Sequence, residues 1–336
     1  MRTAQFYRKL EDGKVQCLLC PHLCTLSEGK TGKCGVRRNV NADLVSEIYG
    51  KVSAIHYDPI EKKPLYHFHP GNIILSIGSI GCNLSCSFCQ NCDISQASVP
   101  GFPWLKDYSP DEIVQMAAGH DNNIGIAFTY NEPTISYEYI LEIARLANGL
   151  GMKTAMVSNG YINREPLVRL LPFMDAFNID LKAFRDDFYK VQTGASLSPV
   201  LETLKILNEA GKHIEITNLI IPGLNDDPAV FSEMIDWISA ELGMYTVLHL
   251  SRYFPHHKLT IGPTPVDTLR DLFALASQKL RYVYLGNVAS NRGQQTRCAE
   301  CGELLIERAG YHTELRNITP DTKCNKCGSP VQNLIL

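Results

Sequence analysis

The sequence has no long apolar run. No window of its 336 residues approaches the ~18 uninterrupted apolar residues of a membrane-spanning helix. The first sixteen residues, Met1 to Gln16, lack the apolar core of a secretory signal. Charge of one sign is not in excess either: 32 basic against 35 acidic residues leave a formal −3, so no global basic field draws the chain to nucleic acid or an anionic membrane. With 45% hydrophobic and 20% charged residues, the composition is not that of a disordered polymer. These absences predict a soluble, cytoplasmic, globular protein without membrane or nucleic-acid partners. Its length suits two domains or one α/β barrel with appendages.

No cysteine is left over. All twelve fall into three groups of four: Cys17, Cys20, Cys24 and Cys34; Cys82, Cys86, Cys89 and Cys92; Cys298, Cys301, Cys324 and Cys327. A chain this long does not need disulfide staples, and most neighbouring thiols within a group are two or three residues apart, as metal ligands are. Metal binding is therefore the reading.

The segment FYRKLEDGKVQC alternates around Asp12-Gly13, which predicts a two-residue hairpin delivering Cys17 at the end of its second strand. Residues 51–72 are rich in Pro, His and aromatics and read as an extended connection. From Ile73 onward apolar runs (73–78, 125–130, 153–158, 176–181, 213–220, 246–251, 282–287) alternate with helical patterns, the first opened by Ser109-Pro110-Asp111-Glu112. Gly151 and Gly211 stand where two of these helices should stop. Strands alternating with helices imply a parallel sheet, either a full or partial (β/α) barrel or a doubly wound open sheet. The expected division is a metal knuckle over 1–50, the α/β body over 51–290 and a zinc ribbon over 291–336. Chemistry in such folds gathers at the C-terminal ends of the strands. The polar residues there are Cys82, Asn131-Glu132, Ser158-Asn159, Asp180 and Lys182, Thr217-Asn218, His249 and Asn287.

Cys82-Asn-Leu-Ser-Cys86-Ser-Phe-Cys89 follows the first of these strands directly. Random scattering of twelve cysteines would give this spacing about 0.015 times per chain. Three thiolates on one tight loop can hold three irons of a 4Fe–4S cluster and leave the fourth open to a ligand. The loop GCNLSCSFCQN resembles that of radical S-adenosylmethionine (SAM) enzymes. The resemblance runs from DPIEKKPLYHFHPG through FTYNEPT, SNG, NIDLKAF, TNLIIPGLND and HLSRYFP to YLGNV. Together these motifs resemble the radical SAM member of the AmmeMemoRadiSam group, relatives of the pyruvate formate-lyase activating enzymes.

The resemblance implies a radical SAM barrel in which Cys82, Cys86 and Cys89 hold the cluster and Tyr130, Asn131 and Glu132 receive the SAM amino group. It assigns Asp180 and Lys182 to the Asp-x-Lys pair, and Ser158, Asn159, Asn218 and His249 to the ribose and carboxylate. Phe88 is expected to pack on adenine. The residue types suit these roles: Glu132 offers an anion to an ammonium and Lys182 a cation to a carboxylate, although Asp180 and Lys182 also suit a plain ion pair. The implied activity is reductive cleavage of SAM to methionine and a 5′-deoxyadenosyl radical that abstracts hydrogen, with a protein substrate suggested by the activating enzymes. A low-potential donor such as ferredoxin or flavodoxin, and Memo-like and AMMECR-like partners, are implied in the same way.

Cys92 is the departure, since a fourth thiolate would close the cluster against SAM; it is read as a nearby free thiol. Cys298-x2-Cys301-x22-Cys324-x2-Cys327, with Gly302 and Gly328 after each pair, has zinc-ribbon spacing, with a rubredoxin-like iron site as the alternative. Residues 296–336 are expected to be dispensable for SAM cleavage. Cys17, Cys20, Cys24 and Cys34 suit either zinc or a second 4Fe–4S cluster. His22 is read as solvent-facing, and His67 and His69 as alternation on an extended chain. The rival to catalysis is a zinc-binding adaptor or nucleic-acid-binding protein with three closed four-cysteine sites.

Overall fold

The apolar runs expected as strands lie in one sheet. In the computed structural model, which describes residues 1–288 and 293–336, its strands are β1 (Ala54–Pro59), β2 (Ile73–Gly78), β3 (Asn123–Phe128), β4 (Lys153–Ser158), β5 (Ala176–Asp180), β6 (His213–Ile220), β7 (Val247–Arg252) and β8 (Tyr282–Gly286). Helices α1 (Pro110–Ala118), α2 (Tyr137–Gly149), α3 (Arg164–Leu170), α4 (Ser198–Glu209), α5 (Pro228–Glu241) and α6 (Val266–Ala276) connect β2 through β8. Local chemistry sets their ends. Ser109 and Glu112 form a reciprocal capping box on α1, and Asp227 caps α5 by accepting from the N–H groups of Ala229 and Val230. Helix α2 buries Ile140, Ile143, Ala144 and Ala147, spaced as one helical face.

The sheet order is strictly consecutive, β1 to β8. Strands β2 to β8 are parallel and β1 runs antiparallel to β2. A doubly wound sheet reverses its order midway, so consecutive order settles the architecture as a partial (β/α) barrel. Strand β1 corrects the reading of 51–72 as a mere connection. Its composition hides the strand because an edge strand tolerates proline, here Pro59 at its last pair with Ile73. The N-terminal hairpin also differs: strands Tyr7–Lys9 and Val15–Cys17 pair, but three residues, Glu11–Gly13, make the turn. Among the described residues no helix is long and apolar enough to cross a membrane. The boundary expected between 290 and 291 lies outside the described residues.

Two small modules pack on the barrel. The N-terminal one consists of two three-stranded antiparallel sheets, joined to α2 through a buried ion pair. Arg37 Nη2 lies 2.5 Å from Glu138 Oε2, Nη1 donates to Oε1 at 3.2 Å, and Nε donates to the Ile135 carbonyl at 3.1 Å. Both residues are buried. Removing one partner strands the other charge, so Arg37→Met is expected to lose about 3–5 kcal/mol. Arg37→Met/Glu138→Leu should recover most of it. Anaerobic urea unfolding checks this, and a single-variant loss below ~1 kcal/mol would contradict it.

The C-terminal module is a three-stranded antiparallel ribbon (Thr296–Arg297, Leu304–Ala309, His312–Leu315). It joins the two free sides of the barrel. Leu305 and Ile306 share a buried cluster with Tyr282 and Tyr284 of β8. On the other side, buried Arg308 donates to the Tyr66 carbonyl at 2.7 Å and lies 4.3 Å over the Tyr66 ring. Farther along, the backbone of Ile335 exchanges hydrogen bonds with His69 and His67 at 2.7 and 2.8 Å. The ribbon thus packs as part of the barrel wall.

Candidate functional site

A cavity of about 760 Å³ opens at the C-terminal ends of the parallel strands. The loop after β2 brings Cys82, Cys86 and Cys89 to it, with Phe88 between two of them. Backbone fit fixes the loop: Gly81, at φ +83°, has no room for a Cβ, which would meet the Cys34 carbonyl at 2.6 Å. On its other side the N–H groups of Ser85 and Ser87 donate to the carbonyls of Thr193 and Gln192, both at 2.9 Å. Burial raises the pKa of two of these thiols, Cys82 well up and Cys86 to about 11, with Lys182 partly opposing the rise at Cys86. Without a metal Cys82 and Cys86 are neutral thiols at pH 7, and binding one must release protons.

Cys92 begins the short helix Cys92–Ser95 and does not line the cavity. Its sulfur is 3.7 Å from His256 Nε2.

Glu132 follows β3 and is a buried acid of the site. Its Oε1 accepts from Thr134 N–H at 2.9 Å and Ser158 Oγ at 2.8 Å, while Oε2 accepts from Asn159 N–H at 2.9 Å. Burial raises its pKa against the lowering by these neutral donors. No salt bridge reaches Glu132 among the described residues, although it lines the cavity. A cation arriving there gains an anion already desolvated.

Asp180 and Lys182 also line the cavity and form the direct pair the sequence allowed, at 3.0 Å. Burial disfavours the ammonium, but Asp180 together with Cys86 and Tyr189 offsets it and the pKa lies above the ordinary lysine value. The Lys182 Nζ lies 5.8 Å from the Phe88 ring centroid. His249 forms a wall: its Nε2 is 2.6 Å from Glu215, and its ring stacks on Tyr284. Glu215 is fully buried, yet His213, His249 and the N–H groups of Tyr66 and His67 hold its pKa low.

Several of the expected residues also make contacts within the protein. Asn131 lines the cavity, but its amide accepts from Ser79 N–H and donates to the Gly81 carbonyl, both at 2.9 Å, so it braces the cysteine loop. Tyr130, at φ 72°, lines the cavity too, with its hydroxyl donating to Asp58 at 2.6 Å. Asn218 points away from the cavity and donates to the Leu181 carbonyl at 2.6 Å; Thr217 and Leu219 face inward in its place. Alternation along β6 is the cause, and counting by twos from Thr217 would have found it. Ser158 and Asn159 are at the cavity, where Asn159 Nδ2 lies 3.7 Å from Cys82 Sγ. His22 is not solvent-facing: Nε2 bonds the Asn83 carbonyl at 2.7 Å. His67 is buried against Tyr284 at 2.6 Å, and His69 adopts φ 46°, so neither follows simple alternation. The sequence reading missed Tyr66, Glu61 and Tyr311, which also line the cavity.

The C-terminal cysteines form a different site. The sulfurs of Cys298, Cys301, Cys324 and Cys327 lie within 4.8 Å of one another, with pairs at 3.6 and 3.7 Å. Tetrahedral zinc–sulfur bonds of ~2.3 Å would set sulfurs ~3.8 Å apart, so the group fits one ion. Hydrogen bonds to Ser329 lower the Cys327 pKa to about 6, favouring its thiolate.

The Radical SAM superfamily profile matches residues 76–237. An uncharacterized protein of Methanocaldococcus jannaschii is 44% identical over 98% of this chain and 99% of its own length. The pyruvate formate-lyase-activating enzyme of Listeria monocytogenes is 24% identical over 47% of this chain, which spans 66% of that enzyme. Among solved structures, Streptococcus suis SuiB bound to precursor peptide SuiA matches with TM-score 0.52 and 14% identity, covering 68% of this chain and 52% of that one. That likeness is one of fold.

Proposed function

The chain belongs to the radical SAM superfamily, and on that footing we propose that its cavity binds a 4Fe–4S cluster and SAM for hydrogen abstraction from a protein partner. The observation carrying the reading is the convergence of three cavity-lining thiols with the buried, ion-pair-free Glu132. Three sulfurs without a gathered fourth suit a cluster with one open iron, and the donors on Glu132 suit a carboxylate held ready for an ammonium. When bound and reduced, the cluster supplies the electron that cleaves SAM to methionine and a 5′-deoxyadenosyl radical.

The chain's own residues orient and enclose. Cys82, Cys86 and Cys89 would hold the cluster; Glu132 would take the ammonium; Lys182, while paired to Asp180, would present its remaining N–H groups to a carboxylate. Phe88 offers the adenine an apolar face, and the ribbon shields the cavity from water. The relation to activating enzymes supports a protein substrate, and the motifs over most of the chain support membership of the AmmeMemoRadiSam group. The test is anaerobic: dithionite-reduced protein with SAM should yield methionine and 5′-deoxyadenosine together. Iron and sulfide bound without either product would overturn it.

The ribbon site we assign to zinc. Cys301→Ser is expected to lose about one zinc per chain and, because Tyr311 lines the cavity and Arg308 holds the lining residue Tyr66, to weaken SAM binding. Elemental analysis and SAM titration check this. Zinc loss with unchanged SAM affinity would instead support the ribbon's dispensability.

A further inference from the structure

The two four-cysteine modules differ in a way that separates their metals. Cys17, Cys20, Cys24 and Cys34 line one small interior cavity together with His22 and buried Arg37. Yet among the described residues only the C-terminal cysteines have sulfurs gathered within 4.8 Å; no three of the N-terminal four are. A single zinc requires sulfurs ~3.8 Å apart around one centre. In a cubane cluster each sulfur binds its own corner iron, so the ligands stand farther apart, as do those of the cavity loop. We propose that the N-terminal cysteines hold a second 4Fe–4S cluster, the port through which single electrons reach the cavity cluster.

The module's position supports the port. The Cys34 carbonyl is the atom that excludes a Cβ at Gly81, next to Cys82. His22, two residues from Cys20, bonds the carbonyl of Asn83, again next to Cys82. Asn83 lines the N-terminal cavity, while its Oδ1 lies 4.0 Å from Cys82 Sγ. One close backbone approach, Cys34 to Gly81, and one side-chain-to-backbone hydrogen bond, His22 to Asn83, therefore connect the two ligand loops. Leaving out buried Arg37, residues 1–50 carry seven basic against five acidic residues in a chain that is acidic overall, and Lys30 and Lys33 are exposed. That surface suits an acidic low-potential carrier, an iron–sulfur or flavin protein. The carrier is oxidised by one electron, the N-terminal cluster is reduced and reoxidised, and the cavity cluster ends reduced by one electron.

The port role rests on the proposed SAM chemistry; the second cluster does not. In Cys82→Ser/Cys86→Ser/Cys89→Ser, anaerobic reconstitution should leave about four irons and four sulfides per chain. Dithionite should give a paramagnetic signal that SAM does not alter. Cys20→Ser/Cys24→Ser should lose that signal. Zinc without sulfide at this site in the triple variant would overturn the proposal whether or not the double variant folds. For the port, rapid-freeze spectra of wild-type protein mixed with reduced ferredoxin should show the SAM-insensitive signal before the SAM-sensitive one; the reverse order would overturn that role. If wild type lacks SAM cleavage and any SAM-sensitive signal, the proposed function fails while the triple variant still decides the second cluster.

Discussion

Cys82→Ala, Cys86→Ala and Cys89→Ala are each expected to lose about four irons per chain and all measurable SAM cleavage. The three side chains share one short loop braced by Asn131, Gly81 and the 192–193 backbone, so no neighbouring thiol can replace a lost one without rebuilding the loop. Cys92 is the nearest reserve, but it begins a helix outside the cavity lining. Cys92→Ala should therefore keep both iron and cleavage. Equal iron loss in all four variants would show that Cys92 closes the cluster.

Glu132→Gln should weaken SAM affinity roughly tenfold to a hundredfold, the worth of a charge-assisted hydrogen bond of ~1.5–3 kcal/mol. The structure adds a second consequence. Donors meet both carboxylate oxygens, and the glutamine amide has only one oxygen. In either orientation its NH2 faces a backbone N–H, leaving a buried donor unmet at a cost of about 1–3 kcal/mol. The variant should thus be less stable as well as weaker in binding, with cluster iron unchanged. Asn131→Ala should show the opposite pattern, with poorer iron retention because the cysteine loop loses its brace. SAM titration alongside iron analysis separates them; wild-type affinity and stability in Glu132→Gln would refute the assignment.

Much of the barrel was legible because parallel strands buried on both faces write themselves as apolar runs; those at 153–158 and 213–220 match their strands residue for residue. Strand β1 was not, since its partner lies on one side only and its composition is that of a loop. The site was legible where a residue type has few alternatives, as with grouped cysteines or a buried glutamate. It was illegible where facing decides. Thr217 and Asn218 are adjacent and both polar, and the pleat alone turns one inward. Asn131 shows a third limit: the sequence places it at the site but cannot tell an amide that meets a ligand from one that meets the backbone. Contacts such as Arg308 to Tyr66 leave no local pattern at all, because their partners are 242 positions apart.

That separation bears on how the protein is made. Residues 66–69 emerge from the ribosome early, whereas Arg308 and Ile335, which close over them, emerge after all eight strands of the main sheet. During synthesis the cysteine loop precedes its own shelter, so the nascent chain presents open thiols to the cell while the barrel still has a missing side. A group delivered to the cavity before Arg308 and Ile335 dock would find this side open, and one delivered afterwards would have to enter past a completed wall.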